Sequence, residues 1–156
     1  MLNFIKTRFE ETLGALILAV MAVVAFLNVV VRYCTNFSFA WSEEVTINLF
    51  VWAVLLGTSA VFRDGEHLGM NIFYNRCSRH WRVLFTLLAA LFGIVFFLTL
   101  FWYGMLEVYD EFDLEASSES LGIPVWIYTG AVPLLSLLVV ARIVQRIVLD
   151  ITQHKI

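Results

Sequence analysis

Four stretches of this 156-residue chain contain no Asp, Glu, Lys or Arg: residues 12–31, 45–62, 83–106 and 120–141. They run for 20, 18, 24 and 22 residues. A helix rising about 1.5 Å per residue needs roughly 20 residues to cross a hydrocarbon core about 30 Å thick, so each stretch can span a bilayer or nearly do so. The second is short and borrows flanking residues. Barrel strands alternate faces over about 10 residues, whereas these runs are continuously apolar, so the reading is helix. With 61% hydrophobic and 15% charged residues, the chain is too apolar for a small soluble domain. The expected fold class is all-α: an integral membrane bundle of four transmembrane helices forming a single domain over residues 1–156, with no room for a second. The apolar run after Lys6 and Arg8 is longer than a signal-peptide core of about 7–15 residues, which makes it an uncleaved first span.

Orientation follows from the basic residues rather than from the net charge of −3. Lys6 and Arg8 precede the first span; Arg63, Arg76, Arg79 and Arg82 follow the second; Arg142, Arg146 and Lys155 lie at or beyond the end of the fourth. Only Arg32 falls in the first or third connection. This bias predicts that both termini and the central connection are cytoplasmic. Cys34 and Cys77 then lie on opposite sides, too far apart for the roughly 5.5–6 Å Cα separation of a disulfide, and both are expected to be free thiols. Tyr33, Phe37, Phe39, Trp41, Trp102, Tyr103, Trp126 and Tyr128 mark outer boundaries and Trp81 the inner one. Ala15, Ala19, Ala53, Gly57, Ala89 and Gly93 recur at spacings of four, as close helix packing requires. Pro133 is expected to kink the fourth span.

Two connections carry further signals. In residues 65–82, Met70, Phe73, Tyr74, Cys77 and Trp81 fall at offsets of 0, 3, 4, 7 and 11, one helical face, with Arg76, Arg79 and Arg82 available to lipid headgroups. An interfacial helix is expected; a plain basic loop is the alternative. The connection after the third span holds Glu107, Asp110, Glu111, Asp113, Glu115 and Glu119. It reads as a solvated face, a docking surface for a soluble partner or a divalent-cation site, and its spacing does not favour a metal.

The most polar boundary cluster is Arg32, Asn36, Ser38, Trp41, Ser42, Glu43, Glu44 and Asn48. Asn28 and Arg32 share one helical face, and Glu44, Asn48 and Trp52 share another. Arg32 is placed to meet Glu43 or Glu44 across a short turn. The cluster either fixes the hairpin of spans one and two or presents polar groups to another membrane subunit. Asn48 is the sharpest signal, because it lies inside a span and needs a hydrogen-bond partner there. The histidines, His67, His80 and His154, all fall outside the spans, which argues against a haem held within the bundle. A Gly-rich phosphate loop, a zinc-spaced Cys/His set and a paired nucleophile and base are all missing from the sequence. These features fit a transport subunit better than an enzyme. A redox or anchor subunit of an oxidoreductase and a small self-assembling channel remain as alternatives.

The run Arg32-Tyr33, Asn36, Ser38, Trp41, Glu43-Glu44, Leu49-Phe50-Val51-Trp52, Leu56-Gly57, Arg63, Gly65 and His67 resembles the signature of the small membrane (DctQ-like) subunit of tripartite ATP-independent periplasmic (TRAP) transporters. Ser120-Leu121-Gly122-Ile123-Pro124, Trp126 and Pro133 form a second match. Met70-Asn71 and Leu135 depart from that pattern. The resemblance implies a non-catalytic scaffold without cofactor or metal in a bacterial inner membrane. It also implies two partners: a large membrane subunit that moves substrate with sodium, and a periplasmic binding protein that delivers organic acids, typically carboxylates. Lipid is the remaining expected contact, and nucleic acid is not. On this reading Arg32, Asn36, Trp41, Glu43, Glu44, Asn48 and Trp52 form an interface or structural cluster. Arg63, His67, Arg76, Arg79, Trp81 and Arg82 anchor the cytoplasmic side, and Gly122, Pro124, Trp126 and Pro133 define the start of span four.

Overall fold

A computed structural model describes residues 8–35, 39–64 and 79–152. Its elements are α1 (Phe9–Thr35), α2 (Ala40–Asp64), α3 (Arg79–Asp113), a short α4 (Trp126–Thr129) and α5 (Ala131–Thr152). Among the described residues four helical segments are long and apolar enough to cross a membrane: Phe9–Thr35, Ala40–Arg63, Val83–Asp113 and Trp126–Asp150, the last made of α4 and most of α5. The four-span architecture read from the sequence is therefore the observed one.

The helices run past their uncharged stretches; in α1 and α2 charges in the end turns suit the helix dipole, whereas α3 starts with Arg79 and Arg82 and finishes with Glu107, Asp110, Glu111 and Asp113, the opposite sign at each end. Glu10 and Glu11 lie in the first turn of α1 and Arg32 in its last; Glu43 lies in the first turn of α2 and Arg63 in its last, beside the terminal Asp64. Carboxylates near a helix N-terminus and guanidinium groups near its C-terminus complement the helix dipole. At 35 residues, α3 is the longest element. Its length of about 52 Å exceeds a hydrocarbon thickness of about 30 Å, so it must tilt or project. Two expectations change as a result. Glu107, Asp110, Glu111 and Asp113 belong to the last turns of α3 rather than to a connection, and residues 79–82 form the first turn of α3 rather than the end of an interfacial helix. The rest of that proposed interfacial segment, residues 65–78, lies outside the described residues.

Side by side, α1 packs on α2, α2 on α5, and α5 on α3. The core is a cluster of Leu55 from α2, Ala90 and Phe97 from α3, and Val139 and Ile143 from α5. Gly93 sits within it: a Cβ there would meet Ile143 Cδ1 at 3.3 Å and Phe62 Cζ at 3.8 Å. Further along α3, a Cβ on Gly104 would lie 3.2 Å from Cδ of the buried Pro133. These glycines let α3 and α5 approach, as close packing between apolar helices in lipid demands. Gly57, by contrast, has open space, and Ala15, Ala19 and Ala89 are exposed, so the small-residue pattern marks contacts only in part.

The fourth span also begins later than its uncharged stretch. Residues 120–125 are loop, and the helix starts at Trp126. Its irregularity falls at Gly130, three residues before Pro133. Proline lacks an N–H and its ring crowds the carbonyl four residues back, so the disturbance appears one turn upstream. A Cβ on Gly130 would come 2.9 Å from the Trp126 carbonyl oxygen. Gly130 keeps right-handed helical angles (φ −59°, ψ −18°), so α4 and α5 continue as one span.

Candidate functional site: polar knots at the two ends of the bundle

The loop after α3 folds as a tight hairpin. Leu114 and Ala116 donate back to the carbonyls of Asp110 and Glu111, closing the helix. Ser117 and Pro124 then pair as an isolated antiparallel bridge, flanked by Ser118 N–H to Ile123 C=O at 2.9 Å and Val125 N–H to Ala116 C=O at 3.0 Å. Gly122 makes the reversal with φ +66°, a left-handed conformation that a residue without Cβ adopts at little cost. Gly122 and Pro124 thus shape a loop, not the first turn of a span. Trp126, at the start of α4, sets its ring 6.0 Å from that of Phe112 in edge-to-face geometry.

This hairpin delivers its hydroxyls to Glu44. Ser118 Oγ donates to Glu44 Oε2 at 2.6 Å, Ser120 Oγ donates to the same oxygen, and Tyr128 Oη donates to Oε1 at 2.5 Å. Ser118 Oγ also accepts the Leu121 N–H at 3.0 Å. Two turns along α2, Trp52 Nε1 donates to the Tyr128 carbonyl at 3.1 Å. Glu44 and Trp52 therefore bind α2 to the hairpin and to α4 from one helical face. Nearby, Thr129 Oγ1 donates to Glu111 Oε1 at 3.1 Å. A charged acceptor makes such hydrogen bonds short and roughly twice as strong as neutral ones.

Other members of the proposed cluster are placed differently. Arg32 is exposed at the end of α1, Glu43 is exposed, and the Glu44 carboxylate turns to the serines and Tyr128 rather than to Arg32. Asn48 finds its partner in its own helix, donating to the Glu44 carbonyl at 2.9 Å. Between α1 and the start of α2, Asn28 Oδ1 accepts the Phe39 N–H at 2.9 Å, and the Phe39 and Trp41 rings lie 5.7 Å apart. Cys34 is exposed and free. Asn36, Ser38 and Cys77 lie outside the described residues.

At the opposite end, where α1 begins and α5 finishes, a second knot surrounds Glu10, which is 1% exposed. Its Oε1 accepts from Ser59 Oγ at 3.2 Å and from Arg142 Nε at 2.6 Å, while Oε2 accepts from Arg63 Nη1 at 3.0 Å. Arg63 also donates to Glu11, and Arg8 pairs with Glu11 at 2.9 Å. Arg142 continues to Gln145 at 2.7 Å, and Arg146 pairs with Asp150 at 3.0 Å. A carboxylate near membrane depth is costly unless paired and hydrogen-bonded, and two guanidinium groups and a hydroxyl meet that condition here. Arg63, read from sequence as a cytoplasmic anchor, points into this knot. Trp81 is exposed, with its ring 6.1 Å from Phe85. Arg79 opens α3 and Arg82 lies in its first turn; His67 and Arg76 are outside the described residues.

Sequence reasoning missed Glu10, Ser59 and the role of Arg142, along with the hydroxyl partners of Glu44. One signal was present: Ser59 and Arg63 are four apart on α2, a polar face at the end of a span that needs an acidic counterpart. Among the described residues no group of three or more His, Cys, Asp or Glu is arranged to hold a metal ion.

A bundle of four membrane-spanning helices fastened by polar knots at both ends defines a multi-pass membrane protein. Comparison with known proteins carries the assignment further. Residues 21–153 match the family described as tripartite ATP-independent periplasmic transporters, DctQ component, and the chain belongs to that family. It is 26% identical to the C4-dicarboxylate TRAP transporter small permease protein DctQ of Rhodobacter capsulatus, over 90% of this chain and 75% of that protein. The Vibrio cholerae protein of the same name is 33% identical over 52% of this chain, a match that spans 35% of that protein's length. The ectoine TRAP transporter small permease protein TeaB of Halomonas elongata is 26% identical over 82% of this chain and 66% of its own length. The chain is thus placed among the DctQ components of TRAP transporters.

Proposed function

We propose that this chain is the static scaffold of a sodium-coupled importer of organic acids. In this reading it lies in a bacterial inner membrane with both termini cytoplasmic, beside a large membrane subunit that carries the substrate. A periplasmic binding protein supplies that substrate to the pair.

The observation that supports the scaffold reading is where three hydroxyls within the spans turn. Thr58 Oγ1 donates to Val54 C=O at 2.8 Å, Thr99 Oγ1 to Phe96 C=O at 2.7 Å and Ser136 Oγ to Val132 C=O at 2.7 Å. Each is satisfied within its own helix. Polar groups lining a solute path would instead face one another or a water-filled space. Orientation is supported by the nine basic residues that precede span one, follow span two or end the chain, against one elsewhere. The carboxylate class is suggested by two relatives whose names specify C4-dicarboxylate; a third specifies ectoine, so selectivity is assigned to the partner chains.

Reconstitution tests this. The chain should co-purify with its large membrane subunit in mild detergent, and proteoliposomes holding both should take up a labelled dicarboxylate only with a sodium gradient and the binding protein. Uptake by this chain alone would overturn the scaffold reading. Equal uptake by the large subunit without it would remove its role in transport.

A further inference from the structure

We infer that Glu10 is the latch that holds α1 to the bundle, and that α1 is a separately releasable helix rather than part of the α2–α3–α5 core. The core cluster and the half-buried apolar residues around it, which include Val51, Phe62, Ile94, Val132 and Ile147, all come from α2, α3 and α5. On α1 only Ile17 and Glu10 are buried, while Leu16, Val20, Val23, Phe26 and Leu27 are exposed. Apolar contact supplies little net drive for helix association in lipid, so packing and polar bonds decide whether α1 stays.

Those bonds sit at its two ends. Asn28, bonded to Phe39, braces the end already joined to α2 by the chain and so acts as the pivot. Glu10 holds the other end, where no described connection joins α1 to another helix. Both of its carboxylate oxygens are used, and they reach two different helices: Ser59 and Arg63 on α2, Arg142 on α5. Opening this one side chain's contacts removes its bond to α5 and leaves α1 on α2 through helix packing and the Arg63–Glu11 pair. The core cluster loses none of its members.

Cross-linking reads the position of α1 directly. A Cβ built on Gly14 lies 4.0 Å from Leu56 Cβ, within the roughly 3.5–4.5 Å that a disulfide bridges. The full chain would carry Cys34→Ser and Cys77→Ser, with Gly14→Cys and Leu56→Cys, in native membranes. Mild oxidation should form the bridge readily, as scored by mass spectrometry. Adding Glu10→Gln leaves two guanidinium groups facing a neutral amide and should slow bridge formation by about tenfold, while Glu10→Asp, which keeps the charge, should restore most of the rate. A control pair across α3 and α5, Gly104→Cys with Pro133→Cys, whose Cβ atoms are 3.6 Å apart, should bridge at the same rate with Glu10 or Gln. An unchanged Gly14–Leu56 rate in Glu10→Gln would overturn the latch. Equal slowing of the control pair would overturn releasability, because the whole bundle would then depend on Glu10.

Discussion

The Tyr128 hydroxyl donates to the Glu44 carboxylate at 2.5 Å, joining α2 to the start of the last span across 84 positions of sequence. Glu44 also receives Ser118 and Ser120, so Tyr128→Phe removes one of three donors and leaves the carboxylate paired. A charge-assisted bond at a partly wetted boundary is worth about 1–2 kcal/mol. Tyr128→Phe should lower the unfolding free energy by that amount in detergent titrations followed by far-ultraviolet dichroism. Glu44→Ala, which strips the acceptor from all three hydroxyls, should cost more, and Glu44→Gln should fall between.

The glycines on the helices rank by what surrounds them. A Cβ at Gly104 would press on the Pro133 ring at 3.2 Å, and a ring within a packed helix gives little. Gly104→Ala should therefore cost about 1–3 kcal/mol through overpacking. At Gly93 the nearest atom is the tip of Ile143 at 3.3 Å, which can rotate, so alanine there should cost less. Gly57→Ala meets nothing within 4 Å and should be neutral or stabilising, since alanine is the better helix former. Thermal aggregation midpoints of the three variants should follow that order.

Gly122 tests the hairpin. With φ at +66°, any residue bearing a Cβ loses about 1–2 kcal/mol in that conformation. Gly122→Ala should raise hydrogen exchange at Ser118 and Val125, whose N–H groups close the hairpin, and leave exchange in the middle of α3 unchanged. Gly122→Asn should be milder, because asparagine tolerates the left-handed region. Equal protection in Gly122→Ala would show that the hairpin is held by the Glu44 contacts and not by its own turn.

The spans were legible because they rest on a property of each residue, its transfer energy into lipid, summed over about 20 positions. The ends were less so, because a charged residue is counted against a span whether or not a partner satisfies it. Glu10 and Arg63 illustrate this: each reads alone as a boundary marker, and only the packing of α1, α2 and α5 reveals that they bond to each other. Hydrogen bonds from Ser118, Ser120 and Tyr128 to Glu44 were illegible for a similar reason. Serine and tyrosine are unremarkable in a boundary loop, and the hairpin that gathers them depends on Gly122 and a backbone bridge rather than on any side-chain pattern. Arg32 and Glu44 erred in the opposite direction, since proximity in sequence suggested a pair while the hairpin offered Glu44 better-placed donors.

Asn48 and Trp52 separate the polar residue that stands out in the sequence from the one that joins helices. Asn48 is the only amide within the second uncharged stretch, yet its Nδ2 donates to the carbonyl of Glu44 one turn back, a bond that adds nothing between helices. Asn48→Leu removes donor and acceptor demand together, and replacing a locally satisfied group by an apolar one of similar size is close to neutral. Trp52→Phe keeps most of the ring but deletes the N–H that reaches the Tyr128 carbonyl where α4 meets α5. That carbonyl loses a partner, at a cost of about 1 kcal/mol or more. Denaturant titration of the two variants should leave Asn48→Leu within error of the parent and shift Trp52→Phe to lower stability. The reverse order would mean that Asn48, and not Trp52, carries a contact between helices of this chain.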